Sequence, residues 1–187
     1  MKEKYKNLPL RNGVGIVVLN NENKVFVAKR IDNPKNFWQM PQGGVDNNEN
    51  YYEAALRELK EETSIISVEL IQEIDKKFTY ILPDHLIGII WKGKFKGQTQ
   101  KWFVMRFIGN ESEININTKH PEFLDWKWIN LDDLPKIAVN FKLDVYKNVV
   151  RDALTKAEKD TQNADISDQK KYLLDQKIEV LKYLTLN

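Results

Sequence analysis

Three glutamates, Glu58, Glu61 and Glu62, follow directly on Arg57. Positions three and four apart share one face of an α-helix, so these carboxylates project together if the segment is helical. Like charges so placed repel by roughly 0.2–0.5 kcal/mol per exposed pair. The arrangement makes chemical sense around a divalent cation, because hard oxygen ligands suit Mg²⁺, which in turn binds phosphate oxygens. Arg57, four residues before Glu61, can orient a carboxylate by a charge-assisted hydrogen bond. The competing reading is a solvated acidic helix face, and paired glutamates alone would leave it ahead.

The elements needed to position such a cluster are legible nearby. Asn50 is a helix N-cap with Glu53 as its capping-box partner, and the helix they start runs from about 51 to 63 with Ala54, Ala55 and Leu59 as its apolar face. Upstream, Gly43-Gly44 reads as a turn that lets backbone approach the carboxylates closely.

The complete spacing decides between the two readings. Gly43, five residues, Glu49, seven residues, Arg57-Glu58-Leu59, one residue, Glu61-Glu62, and Ile65 two residues beyond Thr63 match the box of the Nudix hydrolases in register. That family cleaves nucleoside diphosphates linked to another group. The departure is Ser64, where the family has Gly; the position follows the helix and is expected at positive φ, where serine costs about 1 kcal/mol. The chain resembles the family over about residues 10–155, and within it the bacterial RNA pyrophosphohydrolases, also described as dinucleoside polyphosphate hydrolases. The segments that carry this are 11–17, 37–44, 80–83, 97–103, 121–128 and 141–146.

The resemblance implies an α/β fold, the Nudix α/β/α sandwich with a mixed sheet, and removal of pyrophosphate from the 5′-triphosphate end of RNA, a step that promotes RNA decay. The alternative substrates are diadenosine tetraphosphate or a free oxidised nucleotide. A non-catalytic nucleotide- or RNA-binding module is the rival of another class, and Ser64 is its only support. The implied cofactor is Mg²⁺, with Mn²⁺ as a substitute, held by Glu58, Glu61, Glu62, Glu122 and Gly43. Water would attack phosphorus, with Glu62 as the general base and Glu122 as its rival. Glu122 on its own would read as a surface loop residue.

On the substrate side, Arg11 could grip phosphate as a bidentate fork or be an exposed surface arginine. Lys29 and Arg30 end a strand, one toward the polyphosphate and the other toward solvent; Lys29 is taken as the binder. Gln42 adjoins the glycine pair. Tyr80 and Phe141 could stack bases, and Lys142 could bind phosphate; packing is the competing role of both aromatic residues. Trp102, Trp126 and Trp128 read as core, and His85 and His120 as ordinary surface histidines.

The remaining elements follow from periodicity. Residues 14–20 and 24–30 form a hairpin; strands are expected at about 66–74, 77–82, 86–92, 99–108 and 123–129. A helical turn at 131–135 ends at Pro135, and a helix runs from Phe141 past Leu154. The expected domain is 1–156, followed by a polar linker and an amphipathic C-terminal helix in 157–187. From Arg151 onward, 7 basic residues balance 7 acidic ones, which is no basic RNA arm.

Composition narrows the classes. The 187 residues carry 29 basic and 27 acidic side chains, a net charge of +2, too balanced for nucleic-acid capture by bulk charge. With no cysteine, disulfides and thiolate zinc sites are excluded. No apolar run approaches the roughly 20 residues of a membrane span, and the first residues lack the apolar region of a secretory signal. A cytoplasmic location is expected.

Overall fold

The computed structural model describes residues 2–32, 37–130, 133–138, 141–149, 151–152 and 178. Its centre is a mixed sheet. Strand β1 (Leu10–Leu19) lies beside β2 (Val25–Arg30) and parallel to β6 (Gly97–Phe107); β3 (Trp38–Gln39) extends one side and β5 (Val68–Ile81) the other. β4 (Gln42–Gly44) pairs with β1, and β7 (Phe123–Ile129) with β2. Every pairing except β1 with β6 is antiparallel.

β1 is buried on both faces, which explains its nearly continuous apolar run. Val14, Ile16 and Val18 meet α1 (Tyr51–Thr63) through Ala54, Ala55 and Leu59. Val17 and Leu19 point into the opposite core, with Trp102, Val145, Tyr146 and Val149. The last three belong to α3, residues 141–149, which continues as helix at 151–152. Helices therefore cover both faces of the sheet, as expected for the sandwich. Ile178, also helical, is buried in the α3-side core. The rest of the tail, and with it the expected boundary near 156, lies outside the described residues.

Helix α1 has the expected span. Asn50 Oδ1 accepts the Glu53 N–H at 2.8 Å, closing one half of the capping box. Ser64 ends the helix at φ 64°, and its N–H reaches the Lys60 carbonyl at 2.8 Å. Its hydroxyl donates to the Asn115 carbonyl at 2.9 Å, a bond glycine cannot make. Relief of the left-handed backbone, about 1 kcal/mol, is thus set against a hydrogen bond of about 0.5–1.5 kcal/mol. Ser64→Gly is expected to move stability by less than about 1 kcal/mol, whereas Ser64→Ala, which keeps the backbone penalty and loses the bond, destabilises by about 1 kcal/mol. Paired urea melts check this; an unchanged Ser64→Ala together with a stabilised Ser64→Gly would mean that the hydroxyl contributes nothing.

Three expectations are corrected. Segments 66–74 and 77–82 are one strand, β5, with irregularities between Leu70 and Gln72 and between Glu73 and Lys77. On an edge strand one face meets water, so the polar residues Asp75 to Lys77 need no turn. Residues 86–92 form no strand: Gly88, Trp91, Lys92 and Gly93 adopt positive φ and fold the apolar run into turns. Pro135 lies in the first turn of α2 (Leu134–Ile137) rather than ending a helix, a place where its missing N–H costs nothing.

Candidate active site

The glycine pair builds the site, but as strand and not as turn: Gly13 pairs with Gly44 and Val14 with Gly43, and neither glycine has positive φ. What requires glycine is space. A Cβ at Gly43 would sit 1.8 Å from the Glu58 carboxyl carbon, and one at Gly44 2.1 Å from Nη2 of Arg11. With no side chain at Gly43 or Gly44, Glu58 Oε1 takes the Gly44 N–H at 2.8 Å and Glu62 Oε2 takes the Gln42 N–H at 3.1 Å. The carboxylate helix is thereby fastened to the sheet through two β4 amides.

Arg57 closes the other side. Its Nε and Nη2 hold the two Glu49 oxygens at 2.7 and 2.8 Å, while Nη2 also donates to the Gly44 carbonyl at 2.9 Å. Nη1 lies 3.1 Å from both Glu58 and Glu61. The Arg57 hydrogen bonds hold the Glu49 carboxyl down at about 2. Glu49 is the structural anchor of the motif, a role its spacing alone did not disclose.

Glu62 is 3% exposed. Burial pushes its carboxyl well above the usual carboxylate range, and the negative charges of Glu122 and Glu58 add to that. Burial raises Glu58 as well. Glu61 is 60% exposed and leans on Arg57. Glu122, 47% exposed, is paired with Arg30 at 2.9 Å, and Arg30 also grips Asp32 at 2.7 and 2.8 Å. Glu58, Glu62 and Glu122 thus interact electrostatically, with Glu61 on the same helix. No three potential ligands already encircle a common point among the described residues. The donor set nevertheless fits a hard divalent cation. The buried Glu62 carboxylate faces two like charges that the nearby Arg30 charge balances only in part, and each of Glu58 and Glu62 keeps one oxygen, Oε2 and Oε1 respectively, that accepts no hydrogen bond among the described residues.

Of the two cations ending β2, Arg30 is the one that meets the carboxylates. The Lys29 ammonium makes no hydrogen bond or ion pair among the described residues. The pattern pointed to this: Arg30 continues the Phe26 and Ala28 alternation, and those residues lie under α1.

Gln42 belongs to a glutamine relay that sequence reasoning missed. Gln100 Nε2 donates to Gln42 Oε1 at 3.2 Å and to Gln98 Oε1 at 3.1 Å; Gln98 Nε2 donates to the Gly43 carbonyl at 3.1 Å. The Tyr80 hydroxyl donates to Gln98 Oε1 at 2.9 Å. Tyr80 is buried, which pushes its phenol up, and its ring lies 5.5 Å from that of half-buried Phe141. Arg11 rests on the Trp91 ring at 5.4 Å and covers Gly44. Trp126 and Trp128 pack on Phe26 at 5.6 Å, Trp102 is fully buried, and both histidines are exposed.

Lys142 is buried, and its ammonium donates to Gln39 Oε1 at 2.9 Å. Burial, helped by the Arg30 charge, pushes it down to about 7, partly opposed by Glu62 and Asp32. An unfolded lysine titrates near 10.4, so between about 7 and about 10.4 the unfolded chain binds the extra proton and stability rises with pH. Below about 7 the buried charge is carried in full. Lys142→Met is therefore expected to raise the melting temperature more at pH 6 than at pH 10. A pH-independent difference would show that the ammonium is not desolvated.

A two-faced sandwich whose acidic helix is locked to a glycine strand defines a recognisable class of α/β protein. A family model described as NUDIX domain matches residues 9–149. A relative from Pelagibacter ubique named RNA pyrophosphohydrolase is 66% identical over 149 residues, 80% of this chain and 94% of its own. One of the same name from Orientia tsutsugamushi (strain Boryong) is 43% identical over 148 residues, 79% of this chain and 92% of its own. Among solved structures, the E. coli dihydroneopterin triphosphate pyrophosphohydrolase superposes with TM-score 0.58 at 21% identity, over 75% of this chain and 96% of that one. A C. elegans Ap4A hydrolase gives 0.57 at 22%, over 79% and 99%. The chain belongs to the Nudix family. Hydrolases of that family generally use a divalent metal ion. No helix among the described residues is long and apolar enough to cross a membrane.

Proposed function

We propose that this protein is an RNA 5′-pyrophosphohydrolase that removes pyrophosphate from triphosphorylated RNA ends in the cytoplasm and so opens transcripts to decay. The observation that carries this reading is the 66% identity to an RNA pyrophosphohydrolase across 94% of that relative. The site has the matching chemistry. Glu58, Glu61, Glu62 and Glu122, with the Gly43 carbonyl, are the residues that would hold Mg²⁺. When bound, the ion supplies positive charge to phosphate oxygens and favours the ionised carboxylates.

The chain's own residues do the rest. Water attacks phosphorus, the bond to the leaving pyrophosphate breaks, and the water's proton passes to Glu62, whose burial strengthens it as a base. Arg30 holds Glu122 beside the reacting group. Arg11 and Lys142, with Lys29 at the strand end, meet negative charge along the polyphosphate. Phe141, backed by the buried ring of Tyr80, offers the first base an aromatic face, and Gln42, held by Gln100, fixes the edge of the cleft.

The test is turnover with Mg²⁺ of a 5′-triphosphorylated RNA and of diadenosine tetraphosphate in parallel. Pyrophosphate release from RNA at the higher kcat/KM is expected. Preference for the dinucleotide would transfer the assignment to dinucleoside polyphosphate hydrolysis, and no release from either would leave a binding module.

A further inference from the structure

We propose that the loop at 83–96 is a second binding surface for the RNA substrate, with Lys92 and Lys94 taking phosphates downstream of the reacting end. The inference rests on the function proposed above and names how that site accepts a strand.

Both lysines are exposed, and among the described residues neither ammonium forms a hydrogen bond or ion pair. The segment holds three lysines and one acidic residue. That residue, Asp84, accepts the Lys2 N–H at 2.8 Å, while Lys96 donates to the Lys6 carbonyl at 2.8 Å. Lys92 and Lys94 are thus the cations left to a ligand. Their position is fixed by backbone: Trp91, Lys92 and Gly93 run through positive φ, and the N–H groups of Lys92, Gly93 and Lys94 each bond back three residues at 3.0–3.2 Å. Beneath them Leu86, Ile87, Ile90 and Trp91 pack on the core. With the backbone already held, only the lysine stems have to order when the pair meets phosphate.

The lysines are also joined to the reaction site by direct contacts. Trp91 carries the Arg11 guanidinium on its ring, Arg11 covers Gly44, and the Gly44 amide holds Glu58. A strand whose triphosphate lies at Arg11 and the carboxylates therefore meets Lys92 and Lys94 next. A positive track leading away from the phosphate site is what single-stranded nucleic acid requires, independent of sequence. The near-neutral bulk charge makes such a local patch the means of gripping a polyanion.

The test compares the unaltered chain with Lys92→Asn/Lys94→Gln, in which Asn tolerates the left-handed backbone. The substrates are triphosphorylated RNAs of about eight nucleotides and of two, assayed from 50 to 200 mM salt. Loss of two contacts should lower kcat/KM for the long RNA roughly tenfold at low salt and flatten its log–log salt slope by about 1.4, from about 0.7 per phosphate. The short RNA should change less than about threefold, and Lys92→Arg/Lys94→Arg should restore length dependence. Equal losses on both RNAs, or no loss, overturn the proposal and leave the patch to another polyanion. If the unaltered chain turns over neither RNA, the functional assignment fails. Fluorescence anisotropy with the long RNA then decides the loop separately: weaker binding by the variant supports it, and equal affinity overturns it.

Discussion

Replacing Glu62 by Gln is expected to lower kcat by at least about 100-fold, the low end for loss of a general base. The substitution keeps the shape, and its amide oxygen can still accept the Gln42 N–H. What disappears is the charge. Stability should move the other way. In the folded chain the Glu62 carboxyl is raised, by burial first and then by Glu122. Its stabilisation is therefore complete below the unfolded value near 4.3 and is lost as pH climbs through the higher folded value. The amide escapes that loss, so Glu62→Gln should melt above the unaltered chain at pH 8 without metal, and the gap should close toward pH 4. Added Mg²⁺ should raise the melting temperature of the unaltered chain and that of the variant less. Near-normal turnover at saturating Mg²⁺ would exclude Glu62 as base or required ligand. A variant that melts lower at pH 8 would refute the buried, raised carboxyl.

Gly43→Ala is expected to cost kcat/KM about 100-fold, the scale of a 1 Å misplacement of catalytic groups, while leaving the fold intact. Its Cβ would come within 1.8–2.2 Å of the three terminal atoms of Glu58. The end of a flexible side chain can move where backbone cannot, so Glu58 swings off the Gly44 amide and β4 stays paired. Helicity and cooperative melting should persist while activity falls and more Mg²⁺ is needed for half-maximal rate. Gly13→Ala is the contrast: its Cβ would meet the Gly43 carbonyl oxygen at 2.6 Å, a backbone clash that should cost stability as well. Wild-type kinetics in Gly43→Ala would show that the Glu58 position on β4 is irrelevant to chemistry.

What could be read from the sequence was whatever is decided locally. Helix α1 was legible because its cap, apolar face and left-handed end are written within fifteen or so residues of one another. The outer strands were less so. The polar stretch in β5 looks like a break because one strand cannot announce that it is an edge. The apolar run at 86–92 looks like a strand because periodicity says nothing of the positive φ that Trp91 and Lys92 adopt. In the site, the carboxylates carried a spacing signal. The Arg30–Glu122 pair and the bonds from Gln98 and Gln100 to Gly43 and Gln42 did not, since these partners lie on separate elements and only the assembled sheet brings them together. The glycine pair shows both sides: its importance was visible, but the reason was a steric fit against Glu58 and Arg11 rather than a turn.

The Arg57 clasp has a consequence for how this fold diversifies. Each strut that aims the acidic helix, from the Gln42 amide to Glu49, Gly44, Glu58, Glu61 and Glu62, joins residues at most twenty positions apart. Closing so short a circuit costs little chain entropy, and its geometry does not depend on what the distant loops contain. Selection can therefore rebuild the rim around a fixed reactive hub, changing the length, charge or shape of what is admitted without retuning the chemistry.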